Sequence, residues 1–120
     1  MYHIKEIAEL TNVPQSKIRY YEKEGLLPSI KRDKNNIRVF TDKDIELINL
    51  VKCLRNIGMP LKEIKKNINL LMKKNTNLKK EDILIEHREK LETQKRLLQI
   101  YIDDINIKIN GDLTKKNNKD

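Results

Sequence analysis

The chain reads as a mainly α-helical protein: a winged helix-turn-helix head of two helices, a β-hairpin wing and two further helices, followed by a long coiled-coil dimerisation helix. Three observations predict it. A short apolar-striped segment is followed, across a proline-containing turn, by a cationic segment that stops at Gly25 and Pro28. Two β-prone pieces then flank a turn-forming stretch at residues 33–36. Over the last third of the chain, Leu84, Leu91, Leu98 and Ile105 recur every seven residues.

The first helix is expected from Ile4, Ile7, Ala8 and Leu10, which share one helical stripe, and it ends at the turn Thr11-Asn12-Val13-Pro14. Ser16 is placed to cap the second helix. There Lys17, Arg19, Tyr20 and Tyr21 set two cations and two phenol hydroxyls within two turns, and Gly25 with Pro28 forbids continuation. Helix, short turn and basic helix make a helix-turn-helix whose second helix reads DNA. Lys17 and Arg19 would meet phosphates or base edges, and Tyr20 and Tyr21 would donate to phosphates. Both tyrosines could instead be core aromatics, but neighbours on a helix do not face the same way, so at least one is expected to be exposed.

Residues 28–41 carry Lys31, Arg32, Lys34 and Arg38 on a predicted hairpin, a wing that can lie along a phosphate backbone or enter the minor groove. The plain alternative is a surface loop with solvated charges. Thr41 or Asp42 starts the third helix, with Ile45, Ile48, Leu50, Val51, Leu54 and Ile57 as its apolar face and Gly58 as its stop. Pro60 opens the fourth helix at Leu61; Leu61, Ile64, Ile68, Leu71 and Met72 form the inner face, while Lys62, Lys65 and Lys66 face elsewhere. A polar linker follows at residues 75–77.

Residues 81–109 are expected to form one helix about 40 Å long at 1.5 Å per residue. Beside the heptad leucines, positions 88, 95, 102 and 109 are Arg, Lys, Ile and Ile, so the stripe broadens only in the second half. Such a seam predicts a homodimer through Leu84, Leu91, Leu98, Ile102, Ile105 and Ile109. The alternative is an amphipathic helix folded back on its own head. Gly111 ends the helix, and the polar tail after it is expected to be disordered. The predicted domains are therefore 1–75, 76–110 and 111–120.

Composition narrows the function classes. A chain of 120 residues with a formal charge of +8, from 26 Lys and Arg against 18 Asp and Glu, suits a polyanion such as DNA. The same total could come from a lysine-rich solvated surface, so the arrangement of the charge decides. No run approaches the roughly 18 apolar residues of a membrane span, and the start lacks a signal-peptide core, which predicts a cytoplasmic protein without membrane contact. A single cysteine, Cys53, excludes an intramolecular disulfide and a thiolate metal cage. His3 and His87 read as a surface residue and a polar point on the helix seam, not as metal ligands, so neither metal nor cofactor is expected. The sequence has no Gly-rich phosphate loop, carboxylate pair or nucleophile-base set, which argues against an enzyme.

Four separated motifs, in order, carry a resemblance: Ile4-Lys5-Glu6-Ile7-Ala8; Ile18-Arg19-Tyr20-Tyr21-Glu22 with Gly25-Leu26-Leu27; Ile37-Arg38-Val39-Phe40-Thr41 with Asp44-Ile45; and Ile57-Gly58-Met59-Pro60-Leu61-Lys62-Glu63-Ile64. Over residues 2–70 the chain resembles the MerR family of bacterial transcription regulators. The resemblance implies two-fold dimers joined by a long antiparallel helix pair. It also implies binding to promoter DNA that is bent and undertwisted for RNA polymerase, with Arg38 as the wing arginine and positive charge from Lys62 to Lys66 beside the wing. Metal-sensing members carry cysteines on or after the long helix; this chain has none between Lys79 and Asp120. The surroundings of Cys53 are similar to the AdhR/NmlR branch, in which a lone cysteine here is linked to sensing aldehydes and other thiol-reactive electrophiles. Lys52 and Arg55 flank Cys53 in sequence and could lower its thiol pKa; the alternative is a cysteine that only fills space. Two other readings stay open: a DNA-binding or DNA-bending factor with no cysteine sensing, and a winged-helix protein-interaction module.

Overall fold

A computed structural model describes residues 1–28 and 30–112. The element order is α1 (Ile4–Thr11), α2 (Gln15–Lys23), β1 (Lys31–Arg32), β2 (Arg38–Val39), α3 (Asp42–Asn56), α4 (Leu61–Leu71) and α5 (Lys80–Ile107), followed by a π-type turn at Lys108–Asp112. Two compact units result, one from Met1 to Leu78 and one from Lys79 onward. Most of the expected polar tail lies outside the described residues.

In the first unit, local chemistry sets each helix end. Asn12 takes the left-handed conformation, φ +55°, and closes α1. Thr11, not Leu10, completes the buried face of α1: its hydroxyl donates to the Ile7 carbonyl at 2.7 Å, which lets Thr11 be buried while Leu10 is 60% exposed. Ser16 does not cap α2. Pro14 holds the cap position at φ −57°, the helix starts at Gln15, and Ser16 is already inside it. The fixed proline φ starts the helix two residues earlier than a serine cap would.

Both α2 and α3 end in the same device. At α2 the Gly25 N–H donates to the Glu22 carbonyl and the Leu26 N–H to the Tyr21 carbonyl; at α3 Gly58 donates to Arg55 and Met59 to Leu54. These are Schellman caps, with Gly25 and Gly58 at φ +76° and +82°. Each is backed by a buried apolar pair, Tyr21 with Leu26 and Leu54 with Met59. At the other end of α3, the Asp44 N–H donates to Thr41 Oγ1 at 3.2 Å and the Thr41 N–H to Asp44 Oδ2 at 2.9 Å, a reciprocal capping box.

The hairpin is short and antiparallel, pairing Lys31 with Val39 and Arg32 with Arg38. Asp33 builds its turn, accepting from the Asn35 and Ile37 N–H groups, and Asn36 sits at φ +63°. Tyr2 adds a bridge that the sequence does not announce. Its N–H donates to the Phe40 carbonyl and the Phe40 N–H to the Tyr2 carbonyl, so the N-terminus closes the base of the wing. The Tyr2 hydroxyl donates to Asp42 Oδ1 at 2.9 Å. The core collects Ile7, Ile18, Phe40, Ile48, Leu54 and Ile64 with their buried neighbours. Leu47 belongs to it, whereas Ile57 and Met72, expected inside, lie exposed just beyond the last turns of α3 and α4.

In the second unit, Asp82 accepts from the Lys79 N–H and starts α5. Its 28 residues span about 42 Å. Ile83 and His87 are buried, so His87, expected as a polar point on the helix seam, is withdrawn from solvent. The seam residues Leu84, Leu91, Leu98, Ile102, Ile105 and Ile109 are 37–73% exposed in the single chain. No helix among the described residues is long and apolar enough to cross a membrane.

Candidate nucleic-acid interface

Helix α2 has four sides. Ile18 and Tyr21 face the core. At about 100° per residue, Ser16, Arg19, Tyr20 and Lys23 come together on the opposite side, where all four are exposed. Arg19 Nη2 donates to Gln15 Oε1 at 3.3 Å, which extends its guanidinium along the helix. Tyr20 is 42% exposed and Tyr21 only 2%, so the tyrosine pair divides into one surface and one core residue, with ring centroids 6.3 Å apart. Burial pushes the Tyr21 hydroxyl pKa up, partly countered by the Arg55 charge. Lys23 is a cation on the outward face that reading the segment as a helix stop passes over. Its spacing from Ser16 and Arg19, seven and four residues, carries the signal.

The third side meets the wing. Arg38 Nε donates to Glu22 Oε1 at 2.8 Å, with side chains 27% and 21% exposed, and this bond ties β2 to the recognition helix. Lys31 and Arg32 lie on the open strand, and Arg32 Nη1 donates to the Asn36 carbonyl across the turn. Arg38, expected to lie on the DNA backbone, thus has its Nε committed to Glu22 between wing and helix. Beyond the end of α2, the Lys65 side chain lies across Gly25, its Cε 3.1 Å from where a Cβ would stand. Lys62, Lys65 and Lys66 are all exposed on α4, so its basic edge adjoins the C-terminal end of α2.

On the fourth side, α3 approaches. Lys52 Nζ donates to the Thr11 carbonyl at 3.0 Å, placing a cation on the C-terminal end of α1. Arg55 Nη1 donates to the Met59 carbonyl at 3.4 Å. Cys53 lies exposed between them in sequence but on another face of α3, so neither cation is committed to its thiol. Among the described residues, no group of three or more His, Cys, Asp or Glu is placed to hold a metal.

A cationic recognition helix with a free outward face, a wing braced against it and a basic edge at its end define a winged-helix DNA-binding protein. Residues 2–71 match the family described as MerR HTH family regulatory protein. The chain belongs to the MerR family, whose members are transcriptional regulators and not enzymes. It is similar to an HTH-type transcriptional regulator of Haemophilus influenzae, 45% identical over 65 residues, which are 54% of this chain and 48% of that one. The chain thus spans about half the length of that relative. It is 35% identical over 115 residues to the HTH-type transcriptional regulator YyaN of Bacillus subtilis, covering 85% of this chain and 83% of YyaN. Among solved structures it is similar to HiNmlR, a MerR family regulator lacking the sensor domain, bound to promoter DNA. That match has 33% identity and a TM-score of 0.64, over 85% of this chain and 78% of that one.

Proposed function

We propose that the protein is a cytoplasmic homodimer that binds a dyad site in promoter DNA through α2 and the wing, and regulates transcription by RNA polymerase there. One observation carries the reading: Ser16, Arg19, Tyr20 and Lys23 form a polar, cationic face left exposed among the described residues, while the wing is braced beside it by Arg38 and Glu22. The likeness to HiNmlR, whose structure is bound to promoter DNA, supports the same use of these elements. Lys17, Lys31, Arg32, Lys62 and Lys66 supply phosphate contacts around that face. The exposed seam of α5 supports the dimer, and two heads related by a two-fold axis read two half-sites. The test is selection of binding sites from random duplex DNA. A dyad consensus bound with a steep salt dependence is expected; enrichment of no sequence would overturn the reading.

A second reading concerns the signal. Cys53 is exposed, so a thiol-reactive electrophile reaches it without unfolding of α3, and this supports electrophile sensing. Lys52 and Arg55 make their bonds to the Thr11 and Met59 carbonyls, so this reading rests on access and not on cation pairing. Alkylation followed by intact mass in the folded dimer, with transcription measured before and after, tests it. Modification that leaves promoter output unchanged counts against a sensor.

A further inference from the structure

Lys52 and Arg55 border one recess together with a third cation, Lys17 of α2. Asn12, Lys17, Tyr21, Lys52, Arg55 and Asn56 provide the polar lining of a half-open recess of about 110 Å³ between the helix-turn-helix turn and the end of α3. Among the described residues, none that lines it carries a carboxylate. Lys52 and Arg55 each give one donor to a backbone carbonyl and keep the others. Three cations around one small recess repel one another, and an anion would satisfy them. A space of about 110 Å³ has room for several waters, or for the non-bridging oxygens of one phosphate group in their place.

The position of the recess identifies the phosphate. Lys17 and Glu22 are five residues apart and so lie about 140° apart around α2. Glu22 carries the wing on one flank of the helix, and Lys17 borders the recess on the other. A helix lodged in a major groove has a sugar-phosphate backbone along each flank. We infer that the recess takes a DNA backbone phosphate, held by Lys17, Lys52 and Arg55, so that the end of α3 grips one strand while the wing grips the other. This rests on the DNA-binding reading above. A free phosphate ion shares the chemistry and is the competing source.

The experiment measures binding to a duplex carrying the selected dyad site from about 50 to about 200 mM salt, for the wild type, Arg55→Gln and Lys52→Met with Arg55→Gln. At about 0.9 per phosphate, losing one contact in each protomer lowers the slope of log affinity against log salt by about 2 for the dimer. At the low-salt end, affinity drops about tenfold with the same base preference. Arg55→Gln alone leaves the Lys52 bond to the turn intact, so it keeps the test valid if the double variant fails to fold. An unchanged slope overturns the inference. An unchanged slope, with inorganic phosphate saturably shifting the wild-type amide signals of Lys17 and Tyr21 but not those of Arg55→Gln, assigns the recess to the free ion instead. A wild type that binds no DNA at any salt overturns the underlying reading, a different result from a wild type and variants that bind alike.

Discussion

In the head, Ile7, Phe40, Ile48, Val51, Leu54 and Ile64 are wholly withdrawn from solvent, whereas on α5 Leu98, Ile100 and Tyr101 remain 57–59% exposed. The same residue types thus do different things in the two units. The head closes its core with its own side chains and ends α1, α2 and α3 in local left-handed caps. The long helix has a cap at its start and an i,i+4 pair, Lys108 with Asp104, near its end, yet Leu84, Leu91, Leu98, Ile102 and Ile105 stay exposed along it. Apolar area in water is unfavourable by roughly 25 cal/mol per Å², and isolated helices are marginal even with good propensity. The stability of the head is therefore a property of one chain, and under the homodimer proposed above that of α5 comes from association.

The largest expected effect breaks the second half of that contrast. Leu98→Asp with Ile105→Asp removes four apolar side chains from a dimer, at about 1.5–3 kcal/mol each, and places charges in the seam. Sedimentation equilibrium should find a monomer at concentrations where the wild type is a dimer, with the NMR dispersion of the head retained. A persisting dimer would move the contact to the other apolar side, where Leu97, Ile100 and Ile107 are also exposed.

Next comes the converse change. Phe40→Ala opens the head core at a wholly buried position and should cost about 3–5 kcal/mol in denaturant unfolding. The Tyr2 bridge is made by backbone atoms and survives the substitution. A loss under about 1 kcal/mol would mean that the head core is far looser than its burial implies. Smaller still is Gly58→Ala. No atom stands within 4 Å of the added Cβ, so only the strain of φ +82° remains, about 1–2 kcal/mol. An unchanged melting temperature would show that the cap relaxes to another conformation.

How much of this was legible in the sequence follows the range of each interaction. Helices, wing and heptads were readable because their signals are local: a period, a glycine stop, an Asp-Asn turn. What escaped depends on contacts distant in sequence or on a choice between adjacent residues. The Tyr2–Phe40 bridge joins residues 38 apart, and the Glu22–Arg38 pair residues 16 apart. Thr11 displaces Leu10 from the buried face because its hydroxyl finds a carbonyl one turn back, which counting apolar residues cannot register. At the candidate site, the cations of α2 stood out in its composition, and Lys23 was hidden only by the stop signal beside it. Lys52 and Arg55 were assigned to Cys53 by sequence adjacency, yet neighbours in a helix point about 100° apart, and α3 turns both cations toward Lys17.

The smallest effect tests the boundary between core and interface at Tyr21, whose ring lies in the head core and whose edge lines the recess. Burial raises its hydroxyl pKa above the ordinary value near 10, the Arg55 charge opposing in part. The folded state therefore holds that proton more tightly than the unfolded chain does. The contribution is fully present below the unfolded pKa and is lost as pH rises through the higher folded value. Tyr21→Phe cannot ionise there, so its melting temperature should fall less than that of the wild type between about pH 9 and about pH 11. Lysine deprotonation acts on both proteins and cancels in the difference. Parallel alkaline profiles would show that the Tyr21 hydroxyl, unlike its buried ring, is as well solvated as in the unfolded chain.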